Sequence, residues 1–175
     1  MNGLSRKLSK KHNETFVSMN IHEAQKEEIH QLAIHHRKMF EEIWVNKGSK
    51  LDTSKAQEIE KAYFDKLINQ LPDGRCKAWV VKNGRQVVAS GAISILNFVP
   101  VPDDLNHNVA YLHSMYTEKD FRGRKFAQRI IEKAVQYCKE NGINRVILNA
   151  SDDGKPIYEK TGFVSLPDSM RLLII

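Results

Sequence analysis

Asp120-Phe121-Arg122-Gly123-Arg124-Lys125 packs an acid, a glycine and three cations into six residues, and the run after it turns apolar at helical spacing. The first turn of a helix has unpaired backbone N–H groups and a locally positive field, so a phosphate is a natural guest there. Cations beside such a terminus oppose the dipole and need a reason to be present. Gly123 would let the backbone approach an anion closely. The competing reading makes Asp120 an N-cap and leaves the cations solvated. A second chemical group lies downstream in Tyr158-Glu159-Lys160-Thr161-Gly162-Phe163, where the phenol is either a proton donor or a packed aromatic.

These residues need elements to hold them. Val109–Thr117 alternates two partly apolar sets, as in a central strand covered on both faces. A helix over 122–141 follows, with Phe126, Ala127, Ile130, Ile131, Ala134, Val135 and Cys138 on one face and Asn141-Gly142 as its stop. Residues 143–150 read as a strand and 154–162 as a short helix with Pro156 near its first turn. The final Met-Arg-Leu-Leu-Ile-Ile reads as a closing strand. Upstream, 15–21 is a short strand. A helix spans about 23–45, with Ile29, Leu32, Ala33, His36, Met39, Phe40 and Ile43 inward. Asp52, Thr53 or Ser54 caps a second helix reaching about Leu71. Two β-rich runs then flank Asn83-Gly84, a hairpin signal. The order is β-αα-βββ-α-β-α-β(β), a mixed sheet with a βαβ crossover in its second half.

The 175 residues suffice for one domain over 14–175, preceded by a flexible basic arm at 1–13. Composition is that of a soluble globular protein, 41% hydrophobic and 27% charged. No apolar run approaches the ~20 residues of a membrane span, and the basic N-terminus lacks the apolar stretch of a secretory signal. Cys76 and Cys138 form neither a disulfide framework nor a metal site, which points to a reducing, cytoplasmic setting. His30, His35 and His36 have the wrong helical spacing for metal ligands, and His36 reads as a core histidine. The net charge of +6 suits an anionic partner. Nucleic acid is not the preferred one, because no recognition-helix or RNP-like signature is present.

The stretch from Tyr111 to Phe163 resembles the GNAT-type N-acetyltransferase superfamily. Members carry a strand, a loop close to R/Q-x-x-G-x-G/A, and a helix whose amides hold the pyrophosphate of acetyl-CoA. Here Arg122 matches the first position and Ala127 the last, while Lys125 stands where glycine is usual. The block Asn149–Phe163 is similar to the family's later motif. Ser151 occupies an Asn position, Gly154 a small one, and Tyr158-Glu159-Lys160-Thr161-Gly162-Phe163 fits the rest.

The resemblance implies an α/β (α+β) fold: a GNAT-like mixed central sheet of about six to seven strands flanked by about four helices. The sheet would be splayed between its two central parallel strands, 109–117 and 143–150. Acetyl-CoA is the implied cosubstrate, with no metal. Its contacts would come from Met115, Tyr116, Thr117, Arg122, Gly123, Arg124, Lys125, Phe126, Ala127 and Ser151, with Tyr158 as general acid. A backbone N–H near Met115 would polarise the thioester. The expected activity is acetyl transfer to a primary amine of a small molecule or protein, by direct attack in a ternary complex. The off-pattern Lys125 and Ser151 keep open a catalytically silent acyl-CoA-binding module on the same fold. Candidates for the base or the acceptor cleft are His113, Ser114, Glu41 and Glu42. Asp103 and Asp104 either attract a cationic amine or form an exposed turn. Neither nucleic acid nor membrane is an expected partner, and edge strands near the C-terminus would allow a homodimer.

Overall fold

Asp52 starts the second helix by accepting from the Lys55 N–H at 3.1 Å, so the cap chosen among three candidates is the carboxylate. The first helix starts later than its apolar spacing suggests. Glu28 turns back to the Gln25 N–H at 2.8 Å and holds Lys26–Glu28 as a 3-10 turn before regular helix begins. A computed structural model describes residues 19–166 and 169–174. The expected basic arm over 1–13 and most of the strand expected over 15–21 lie outside those residues.

The strands are β1 (Ile21–Glu23), β2 (Cys76–Asn83), β3 (Gln86–Asn97), β4 (Asn108–Thr117) and β5 (Arg145–Ile147). The helices are α1 (Ile29–Asn46), α2 (Thr53–Gln70), α3 (Phe126–Glu140) and α4 (Lys155–Lys160). The strands form one sheet in sequence order. β1 to β4 are antiparallel neighbours, and β5 pairs parallel to β4 after the α3 crossover. The β2–β3 hairpin closes on Gly84 and Arg85, with the positive φ (+60°) on Gly84. The turn thus sits one residue later than the Asn-Gly signal suggests.

Both faces of the sheet are covered, and strand alternation sorts the side chains between them. Trp79, Val81, Ala110 and Leu112 pack with Phe126, Ile130, Ile131, Ala134 and Cys138 of α3. Ala78, Val80, Val87 and Ala92 pack instead with Ile29, Leu32, Tyr63 and Leu67 of α1 and α2. Cys76 and Cys138 are buried thiols, and desolvation pushes each up to about 11.

Three sequence-based expectations need correction. The sheet has five strands among the described residues, against the expected six to seven. The strand expected over 143–150 shrinks to Arg145–Ile147, because the chain leaves β4 before Asn149. The closing strand is absent among the described residues: Leu172 and Ile174 are 84% and 94% exposed. An apolar run is only a strand where a neighbour supplies a ladder, and no described residue pairs with this one.

Candidate active site

The site grows from a fault in β4. Ser90 pairs with Tyr116 and Ala92 with His113, so Ser114 and Met115 both lie opposite Gly91. This is a bulge, and Ser114 takes φ +56°, a left-handed conformation uncommon outside glycine. The bulge also breaks side-chain parity. His113 and Ser114 both face α1 and α2, while Met115 packs toward the α3 core. On the other side, pairing with β5 ends at Tyr111 and Ile147. The two parallel strands part there, and Asn149 Nδ2 donates to the Tyr111 hydroxyl at 3.0 Å across the mouth of the gap.

Beyond β4 the chain forms a 3-10 turn at Lys119–Phe121, then the loop 122–125. Regular helix begins at Phe126, four residues later than the expected 122. Gly123 (φ +76°) and Lys125 (φ +61°) both take positive φ in the loop. Lys125 is the N-cap residue and offers no side-chain acceptor, so the first N–H groups of α3 are uncapped. Phe126 anchors this terminus in the core. Arg124 lies over the Phe121 ring at 5.2 Å. Arg122 donates through Nε to the Thr117 carbonyl at 2.9 Å and forks onto both Glu42 oxygens at 2.8 and 2.7 Å.

Tyr158 is carried by α4, which packs against α3, and its side chain lies against the core on that side of the sheet. Ser151 positions that helix, since its Oγ accepts from the Gly154 N–H at 3.2 Å. Gly154 is tightly packed: a Cβ there would come within 3.1 Å of both Ser151 Oγ and the Tyr158 ring, which would have to give by a few tenths of an ångström. Tyr158 packs edge-on against Phe163 at 5.8 Å, and burial followed by the nearby Tyr111 pushes its phenol up to about 12. Such a group stays protonated at neutral pH. Among the described residues its hydroxyl makes no hydrogen bond.

Behind the bulge lies a polar cluster that spans four elements. His36 Nδ1 sits 2.7 Å and His113 Nδ1 2.9 Å from Ser114 Oγ. His113 Nε2 meets Ser94 Oγ at 2.8 Å, and the Tyr63 hydroxyl lies 3.2 Å from His113 Nδ1. Burial pushes His36 down to about 4, and burial with nearby Lys66 and His36 pushes His113 down to about 3, so both rings are neutral. Burial also pushes His35 down to about 4, against the pull of Glu118. Its Nδ1 meets Ser90 Oγ at 2.8 Å, while Nε2 lies 3.4 Å from Glu118 Oε1 without hydrogen-bond geometry.

An open cleft of about 710 Å³ runs between the second half of α1 and the β4–α3 loop. Glu41 and Glu42 line it, but both carboxylates are engaged, Glu41 by Arg37 and Glu42 by Arg122. Asp104 is neither an exposed turn nor an acceptor contact. It is buried, and its carboxylate binds Asn144 at 3.1 Å and Arg145 Nε at 2.8 Å, tying the 97–108 loop to β5.

Met115, Phe126 and Tyr158 all pack in or against the core on the α3 side of the sheet. Tyr116 and Ser151 face elsewhere with their side chains, toward Glu42 and the start of α4. Asn149, Tyr63 and Ser94 escaped the sequence reading. Asn149 was hidden by the expected continuation of its strand, and the hydroxyls carry no local signal. The mixed parity of 109–117 reflects a strand covered on both faces, with Val109 and Leu112 both buried.

The sheet opens between β4 and β5, its only parallel pair among the described residues, with β5 at the sheet edge rather than at the expected central place. Residues 24–163 match the Acetyltransferase (GNAT) family, and the chain belongs to that family. Acetyl-CoA is the cosubstrate which that membership implies. A glucosamine 6-phosphate N-acetyltransferase of Arabidopsis thaliana is 28% identical over 76 residues, 42% of this chain. The match spans about half (51%) of that relative's length. Among solved structures, a Clostridium acetobutylicum protein described as a predicted acetyltransferase with acetyl-CoA superposes with a TM-score of 0.78 at 25% identity, over 89% of this chain and 96% of that one. A GCN5-related N-acetyltransferase from Ralstonia eutropha also gives 0.78, at 21% identity over 89% and 98%.

Proposed function

We propose that the protein moves an acetyl group from acetyl-CoA to a primary amine by direct attack in a ternary complex. What supports this best is an unpaired bulge in β4, an uncapped helix start on the chain that follows it, and a protonated phenol near Tyr111, where β4 and β5 part. The residues fit the cosubstrate. The loop 122–125 and the first N–H groups of α3 form a cradle with two positive-φ residues, and Gly123 has open space where a Cβ would stand. Gly123, Arg124, Lys125, Phe126 and Ala127 would hold the pyrophosphate, chiefly through backbone N–H groups. Arg122 would join them on leaving Glu42. Met115, Tyr116 and Thr117 would offer backbone to the pantetheine arm. Ser151 would act through α4, whose start it fixes.

Acetyl-CoA supplies the acyl group as an activated thioester. The Met115 N–H would polarise the carbonyl. The neutral amine forms a bond to the carbonyl carbon, the C–S bond breaks, and Tyr158 gives its proton to the departing sulfur. The amine gives up a proton to solvent, from which Tyr158 is recharged, so the products are the N-acetyl amine and free CoA. The Arabidopsis relative, named for acetylating an amino-sugar phosphate, supports an amine acceptor for this chain.

Lys125 favours a second reading, an acyl-CoA-binding module without turnover, because a lysine in the left-handed region narrows the pattern at the cradle. The full chain mixed with acetyl-CoA and a panel of amino sugars, amino acids, polyamines and peptides separates the two. Release of free thiol that depends on amine supports the enzyme, and tight CoA binding with no release supports the module. Tyr158→Phe should lower kcat by about 10- to 1,000-fold and leave acetyl-CoA affinity nearly unchanged.

A further inference from the structure

Ser114 is held in a conformation that non-glycine residues avoid, at a place where neither neighbouring strand has a registered partner for it or for Met115. Strain of this kind persists only where the surroundings over-determine it. Here two faces do so. On the α3 face, Met115 fills the space over Gly91, where a Cβ would overlap its sulfur and come within 2.8 Å of Ile130. On the other face, two imidazoles converge on one hydroxyl, His36 at 2.7 Å and His113 at 2.9 Å.

The hydroxyl has one proton, so it can donate to only one ring. The other ring must donate to it through Nδ1–H. The pair is therefore held in complementary tautomers, and the Ser114 side chain cannot rotate without breaking a part-buried hydrogen bond. Each ring is itself held. His36, from α1, stacks on Tyr63 of α2 with centroids 3.9 Å apart and planes 16° apart. His113 is fixed at Nε2 by Ser94 of β3. The result is a continuous path from both helices to the strained backbone.

We propose that His36 and His113 are positioning residues that lock the Ser114 turn and so aim the Met115 N–H at the thioester carbonyl. This rests on the acetyltransferase reading of the site. Neither imidazole needs to touch acetyl-CoA. Their role is to keep a backbone donor preorganised, which matters because small misplacements of such a donor are costly in rate. It also makes α1, the wall of the open cleft, part of the acetyl site.

The test uses the full chain with acetyl-CoA isotope-labelled at the thioester carbonyl, read by difference infrared spectroscopy. In the unsubstituted protein the bound carbonyl stretch should move to lower wavenumber than in free acetyl-CoA. His36→Leu fills the space without a hydrogen bond. It should lose at least about half of that displacement and about 10- to 100-fold in kcat, with acetyl-CoA Kd changed by less than about threefold. His36→Asn, which returns a polar atom near the Nδ1 position, should recover much of both. Should His36→Leu fail to fold by circular dichroism, Ser114→Ala is read in the same way, since it removes the hydroxyl that both rings use. An unaltered carbonyl displacement in a folded variant would overturn the proposal while leaving the acetyltransferase reading intact. Binding without any displacement in the unsubstituted protein would also overturn it. Failure of the unsubstituted protein to bind acetyl-CoA would overturn the acetyltransferase reading, and this proposal with it.

Discussion

Lys125 stands where its own backbone argues for glycine. Its φ of +61° places it in the left-handed region, and its side chain caps nothing. For an L-residue that conformation costs about 1–2 kcal/mol. Lys125→Gly should therefore raise stability by about 0.5–1 kcal/mol, seen as a higher urea midpoint at unchanged slope. The same change removes a cation from the cradle, so acetyl-CoA should bind with a weaker dependence on salt. A lower midpoint would show that the lysine side chain contributes more than its backbone forfeits. The departure itself was legible in the sequence, as a lysine at a usual glycine position. Its consequence was not, because the expected helix began at 122 and would have given Lys125 ordinary helical angles. The same holds for Ser151, whose hydroxyl serves the start of α4, a role visible only once the Gly154 N–H is seen at 3.2 Å.

Helix α1 matters as much for its polar links to β4 and its loop as for its apolar stripe. The stripe was readable in its first part, where Ile29, Leu32 and Ala33 are buried, but Met39, Phe40 and Ile43 are only half-buried and the fully buried His35 lies off the expected stripe. The links from α1 to β4 and its loop were not readable, because they join residues 78 and 80 positions apart. Glu42 is the clearest case. Its fork with Arg122 spans a half-exposed pair, 29% and 46% accessible, of a kind worth about 0–1 kcal/mol. Such a pair is weak enough for a pyrophosphate to displace. Glu42→Gln should then release Arg122 and tighten acetyl-CoA binding by up to about fivefold at low salt, by calorimetric titration. Unchanged affinity would mean that Arg122 takes no part in holding the phosphates. Strand lengths were the least legible feature at this scale. β5 ends after three residues because its neighbour diverges, and divergence is a property of two segments that neither encodes alone.

The molecule as a whole carries three imidazoles that its interior keeps neutral. His35 and His36 are pushed down to about 4 and His113 to about 3, in each case chiefly by burial. In the unfolded chain each would titrate near the ordinary 6.5. Between those limits the unfolded state binds more protons than the folded one, so stability rises with pH. The contribution is fully present above 6.5 and drains away as pH falls toward 4. Between about pH 7.5 and about pH 5.5 each ring forfeits at most about 1.4 kcal/mol, and the three together about 4 kcal/mol. That is a large part of the about 5–15 kcal/mol by which a domain is stable. Buried carboxylates do not blur this window. Glu28 and Asp104 are both held below their ordinary values, so their protonation falls at lower pH. The rings are not spread at random: His36 and His113 lock the bulge, and His35 lies under Glu118 at the cleft. Acid should therefore loosen the α1–β4 contact first. Urea unfolding at about pH 7.5 and about pH 5.5 should show the midpoint falling steeply, and His113→Gln should flatten the difference by about one ring's share. Equal midpoints at the two pH values would mean that water reaches these rings freely, and that the polar cluster behind Ser114 is looser than its distances imply.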